Sequence, residues 1–310
     1  MLLDRLLQNP ERWIPARMRA LLGLPQTQVI PPSPGARTMR LAYLSHARER
    51  AGNRRTRPFP ELVPVPLADG VDLFVPAAMP GSGLPLDLII HLRGGTPDAF
   101  AQLSSPALIV RADSAGLSGA LLKRFGQRDW VRQTTEAVQQ ACWQEWRWLP
   151  VLDRTVLSSF GAGYAPLAAA LAQERIVART DAVFILDGIH YGRPGQIDSP
   201  ALEPFLNFAR LAASGEKLMV ITHTSIAPGF ASSTDAASYL IRSVKARRIK
   251  LDRDLADDWT PYYRACKGGF QVEGYPGREA RSHIAQIQQI GRIWDSYLHL
   301  AQRSAGQFPA

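Results

Sequence analysis

The stretch "VLSSFGAGYAPLAAAL" (156–171) reads as an apolar strand that turns sharply into an alanine-rich helix. In many enzymes such a turn carries a nucleophilic serine between small residues two places before and two places after it, because strand and helix approach closely there. Ser159 and Gly163 meet that requirement around Gly161. Centring the turn on Ser159 puts Leu157 at a crowded small position, and centring it on Ser158 puts Phe160 there. The nucleophile's seat therefore falls on a glycine. Glycine takes the strained backbone angles of such a turn at little cost but brings no nucleophile.

Other polar groups stand where apolar runs end. His91 and Arg93 precede Gly94 and Gly95, Asp187 closes "VFILD" with His190 shortly after, His223 closes "LMVITH", and His283 follows the last strand at the entry to the final helix. A carboxylate and an imidazole brought together could act as a general base and the acid that orients it. Each residue alone also has a structural reading. Gly161 suits any tight turn, Asp187 a strand-end turn, His223 a hydrogen-bonded core position, His283 a helix start, and Arg93 a buried ion pair. No CxxC pair suggests a metal, and no metal or cofactor is expected.

The elements that must position these groups alternate along the chain. "VDLFVP", "LDLIIHLRGG", "PALIVRADS", "TVLSSF", "DAVFILDG" and "KLMVITHTS" read as strands, with "GGFQVEGYPG" as the last strand and its exit. Between them, "RDWVRQTTEAVQQACWQEWRWL" places Val131, Thr135, Val138, Cys142, Trp146 and Leu149 on one helical face. "LEPFLNFARLAASG" is a helix with Gly215 as its stop, and "STDAASYLIRSV" is one with Ser232 or Ser233 as N-cap. "HIAQIQQIGRIWDSYL" closes the chain with Ile284, Ile287, Ile290, Trp294 and Tyr297 on one face. This alternation predicts an α/β fold, a mostly parallel central sheet with helices on both faces, in which ligands bind beyond the carboxyl ends of the strands.

The chain has 310 residues, 46% hydrophobic and 20% charged, which suits a globular protein with a substantial core. No apolar run is long enough to span a bilayer, and "MLLDRLLQNPERW" carries charges inside its apolar stretch, so it is a poor signal peptide. It reads as a short amphipathic helix with Leu3, Leu6 and Leu7 on one face, followed by the proline-rich strap 24–38. Residues 1–38 are thus set apart from one domain over 39–310. Two cysteines, Cys142 and Cys266, form no disulfide framework and fit a reduced cytoplasm. The net charge of +9 gathers partly in 48–57 and in "KARRIK" (245–250). Without interleaved aromatic residues these runs read as solvated surface, and a nucleic-acid or anionic-surface module is the disfavoured alternative.

Taken together, the strand-end groups resemble the α/β-hydrolase superfamily over roughly residues 60–300. "SFGAGYAPL" looks like a bacterial variant of the nucleophile turn written S-F-S-A-G-Y, with the serine position at Gly161. The resemblance implies His283 as general base and Asp187 as its orienting acid. The more usual acid position, one strand later, holds His223 and Thr224 and no carboxylate. "HLRGG" resembles the turn that donates a backbone N–H to the oxyanion, which assigns Arg93 and Gly94 to that role, with the N–H of Ala162 as second donor. His91, His190, His223 and Ser159 fall to supporting positions. The expected function is a non-hydrolytic or strongly impaired member of the fold that keeps a cleft for a small ester, amide or carboxylate-bearing ligand. The alternative is an active esterase or amidase using Ser159 or a water activated by His283. The oligomeric state is not legible.

Overall fold

The computed structural model describes residues 61–198, 200–251 and 260–301. The expected N-terminal helix, the strap 24–38 and the basic run 48–57 lie outside them. In chain order the strands are β1 (Leu62–Ala68), β2 (Val71–Pro76), β3 (Pro85–Leu92), β4 (Ala107–Ala112), β5 (Val151–Phe160), β6 (Ala182–Leu186), the short pair β7 (Gly192–Arg193) and β8 (Gln196–Ile197), β9 (Leu218–His223), β10 (Arg247–Lys250), β11 (Tyr263–Lys267) and β12 (Phe270–Gly274). The helices are α1 (Pro97–Phe100), α2 (Ser118–Phe125), α3 (Trp130–Trp146), α4 (Tyr164–Leu171), α5 (Glu174–Arg179), α6 (Glu203–Ala213), α7 (Ser233–Val244), α8 (Ala280–Gln288) and α9 (Ile290–Ala301).

Among the described residues ten strands form one sheet in the order β1-β2-β4-β3-β5-β6-β9-β12-β11-β10. From β4 through β12 neighbouring strands run parallel, and antiparallel strands close both edges. Successive residues of a strand face opposite sides of a sheet, and here both sides are covered. Leu88, Ile90, Leu157 and Met219 pack under α2, α3, α4, α6 and α7. Ile89, Val156, Phe184 and Val220 pack with Phe100 of α1, Ile287 of α8 and Trp294 of α9. Double coverage explains why β6 reads as the uninterrupted apolar run AVFIL, every residue of which is buried. The architecture is the mostly parallel α/β sheet with helices on both faces that the strand–helix alternation predicts.

Several local expectations are corrected. The final helix begins earlier, at Ala280, and breaks at Gln289 into α8 and α9; Ile284 is 47% exposed rather than on the buried face. α3 ends at Trp146, so Leu149 lies beyond it and is exposed, and Thr134 rather than Thr135 is the buried threonine. Ser232, not Ser233, caps α7, in a reciprocal pair with Asp235. The basic run 245–250 contains β10, whose four residues are all exposed at the sheet edge. Charged side chains there discourage pairing with another chain, which is why a surface run and an edge strand look alike in sequence.

Candidate functional site

β5 runs directly into a short turn, Gly161–Gly163, and then α4. Gly161 has φ +48°, in the left-handed region where a glycine is free of strain. Gly163 lies so close to β3 that a Cβ would overlap the Leu92 carbonyl, which is why a small residue must stand there. A second close approach was not read from the sequence. Gly188 packs its Cα against the backbone of Gly161, where a Cβ would overlap the Gly161 carbonyl oxygen. That contact brings the end of β6, with Asp187, beside the turn. Asp187 itself has φ +42°, a conformation that non-glycine residues hold only when their surroundings impose it.

The imposing partners are explicit. The backbone N–H of Thr224 donates to Asp187 Oδ1 at 3.0 Å, its hydroxyl donates to Oδ2 at 2.6 Å, and His283 Nδ1 lies 2.9 Å from Oδ2. Burial pushes the Asp187 carboxyl pKa upward. The hydrogen bonds from His283 and Thr224 outweigh it and hold the group below the usual carboxylate value. An ionised carboxylate only accepts, so Nδ1 of His283 carries the proton that binds it, and in the neutral ring Nε2 presents a lone pair. The ring stacks on Phe160 with centroids 4.3 Å apart, and its side chain is 29% exposed. A Cβ at Gly161 would stand 3.2 Å from Nε2. Asp187, His283 and Gly161 are thus brought together at the carboxyl end of the sheet.

The supporting residues separate into distinct roles. His223 is fully buried. Its Nδ1 meets the Thr224 carbonyl at 3.0 Å and its Nε2 the Tyr263 hydroxyl at 2.6 Å, so it fixes the loop that holds Asp187 without touching the carboxylate. His190 stands in an aromatic wall with Tyr164 and Phe230, and donates Nδ1–H to the Ala231 carbonyl. His91 points to the other side, with Nδ1 on Ser158 Oγ and Nε2 on the Arg93 carbonyl, both at 2.9 Å. Complete burial lowers its pKa to about 3, so the ring is neutral, and it packs on Phe100 and Trp294.

Two expectations change here. The Gly94 N–H is donated to the Asp113 carboxylate at 2.9 Å and the Arg93 N–H to the Ala112 carbonyl, so the "HLRGG" turn spends these donors on its own loop. The Arg93 guanidinium donates to the Gly116 carbonyl rather than to a carboxylate. Ala162 lies in the first turn of the helical run, where amides have no intrahelical acceptor. Ser159 is wholly buried and its hydroxyl has no hydrogen-bond partner among the described residues. By alternation it faces away from Ser158 and Phe160, and so away from the ring of His283. It has no base.

Thr224, Asp113, Gly188 and Tyr263 were not singled out from the sequence as site residues. The one available signal was that Thr224 follows the strand beside Asp187. Among the described residues, no group of three His, Cys, Asp or Glu side chains could hold a metal ion, and no helix is long and apolar enough to cross a membrane.

No family model and no curated protein matches the chain. Solved structures do. Est1E from Butyrivibrio proteoclasticus is 11% identical over 78% of this chain and 98% of that one, with a TM-score of 0.43. The enterobactin esterase FES from Shigella flexneri is 12% identical over 79% of this chain and 61% of that one, with a TM-score of 0.46. The acylaminoacyl peptidase of Pyrococcus horikoshii is 12% identical over 85% of this chain and 44% of that one, with a TM-score of 0.45. At these identities and scores the likeness carries no argument, and what the chain does must come from its own residues.

Proposed function

We propose that the cleft above Gly161 binds a small ester, amide or carboxylate-bearing ligand and that the protein forms no acyl-enzyme. The observation that supports this most directly is the Gly161–His283 approach. The space that a Cβ would take lies 3.2 Å from an imidazole nitrogen whose ring is held by an ionised carboxylate. His283 and Asp187 are the general base and its orienting acid in this reading, Ala162 supplies a backbone donor, and the element that would form the covalent bond is missing. Removing a serine nucleophile from a complete triad costs about a million-fold in turnover. A protonated His283 would bind a ligand carboxylate through a charge-assisted hydrogen bond, next to the amino end of α4.

The test is covalent labelling with a fluorophosphonate, followed by mass spectrometry. The protein stays unlabelled and hydrolyses p-nitrophenyl acetate only at trace level. Gly161→Ser gains labelling at residue 161 and measurable esterase activity, and both disappear on adding His283→Ala. The φ of +48° makes the serine cost about 1–3 kcal/mol of strain. Stoichiometric labelling of the unaltered protein, or a folded Gly161→Ser that neither labels nor turns over, would overturn the reading.

A further inference from the structure

We infer that this cleft passes an acyl group directly to a small external alcohol, whose oxygen takes the place a serine hydroxyl would have at Gly161. The inference rests on the ligand-binding reading of the same cleft and adds a co-substrate class and a reaction to it. The geometry carries the first part. Leaving aside its chain neighbours and the backbone of its own helical turn, the described atoms within 4 Å of the Gly161 Cβ position are Nε2 at 3.2 Å and Cε1 at 3.4 Å, both of His283. An oxygen without a covalent tether to Cα sits slightly farther from the backbone than a serine hydroxyl, still within hydrogen-bond reach of that nitrogen. Nδ1 is committed to Asp187, while Nε2 hydrogen-bonds no described residue, so the ring's one remaining acceptor faces this space.

The surroundings carry the second part. The side chain of His283 is 29% exposed, so a molecule arriving from solvent can reach the ring. Beside the dyad stands the wall of Tyr164, His190 and Phe230, the last 47% exposed, and it offers apolar contact to the carbon chain of an acceptor that water could not use. The step balances without a cofactor. The alcohol O–H gives its proton to Nε2 as its oxygen bonds the ester carbonyl carbon. The tetrahedral species then expels the leaving alkoxide, which takes the proton back from Nε2, and the products are a new ester and a new alcohol. Asp187 stabilises the imidazolium that exists between the two transfers.

The experiment incubates the full chain with phenyl acetate and increasing methanol and follows methyl acetate. Methyl acetate forms faster than in buffer, in proportion to methanol, and intact mass shows no acetylated protein. Gly161→Ala puts a methyl where the nucleophile must sit, and His283→Gln removes the base; each lowers the rate roughly tenfold or more. If Gly161→Ala does not fold, judged by circular dichroism, His283→Gln decides alone. A buffer-level rate, a rate that survives His283→Gln, or an acetylated protein overturns the inference. Acetate binding, read from the NMR signals of His283, separates the two ideas. Acetate-induced shifts together with a buffer-level rate leave the binding reading standing and the transfer refuted, whereas a silent His283 with a buffer-level rate refutes both.

Discussion

The two ends of the central strands solve the problem of a buried charge in opposite ways. At the amino ends, Arg154 of β5 donates Nε–H to Asp87 of β3 at 2.7 Å and grips its second oxygen through Nη2, while Nη1 donates to the Leu298 carbonyl of α9 at 2.7 Å. Both side chains are buried and every nitrogen of the guanidinium has an acceptor. At the carboxyl ends Asp187 is as well satisfied, by Thr224 and His283, yet the pair stops short of closure: Nε2 of His283 faces Gly161 and bonds no described residue. A fully partnered pair locks α9 onto the sheet. A pair with one functional atom left over is what a binding or proton-transfer site requires. The contrast separates a charge used for architecture from a charge kept for a ligand.

The largest expected effect tests the architectural end. Arg154→Ala removes the buried guanidinium that grips Asp87 and should cost about 3–5 kcal/mol of stability, read from the urea midpoint. The same substitution should leave the labelling gained by Gly161→Ser in place wherever the double variant is folded. Loss of labelling in a folded double variant would show that the two ends are not independent.

A smaller effect is set by pH and by His91, which stands near the carboxyl end of β3. Its folded pKa of about 3 is below its ordinary value of 6.5, because burial penalises the charged ring. The unfolded chain therefore binds a proton between these values that the native chain refuses, so stability is present above 6.5 and is lost on acidification. This ring alone should remove about 1.4 kcal/mol per pH unit below its ordinary value. Urea titrations from about pH 7 to about pH 5 should show that slope lessened by this amount in His91→Asn, with a residual slope from His190 and His223, whose values burial also lowers. An unchanged slope would mean that the ring is not held neutral.

The smallest effect sharpens the site itself. Thr224→Val removes the hydroxyl bond to Asp187 and keeps the backbone one. It should cost about 1 kcal/mol of stability. In the Gly161→Ser background it should lower esterase turnover several-fold, as the carboxylate loses one of the groups that orient it. Turnover equal to that of Gly161→Ser alone would remove Thr224 from any positioning role.

Much of the fold and part of the site were legible in the residues. The parallel core strands announce themselves as short apolar runs because both faces are covered. The turn at Gly161 shows itself through the small residues that a close strand–helix approach demands, and Asp187 and His283 show themselves by falling at strand ends in the order the resemblance implies. The edge strand β10 and its neighbour β11 were missed because strands that carry exposed charged residues look like surface loops. The break at Gln289 was missed because the apolar spacing continues across it.

What only the tertiary structure decided is which polar atoms are already taken. Periodicity and spacing place a residue on an element and at one of its ends, since backbone geometry is local. A hydrogen bond is a matter of a few tenths of an ångström between residues far apart in the chain. No pattern in the sequence could say that Asp113 claims the Gly94 amide, that Thr224 holds Asp187, that Ser159 points into the core, or that Nε2 of His283 is left facing the glycine.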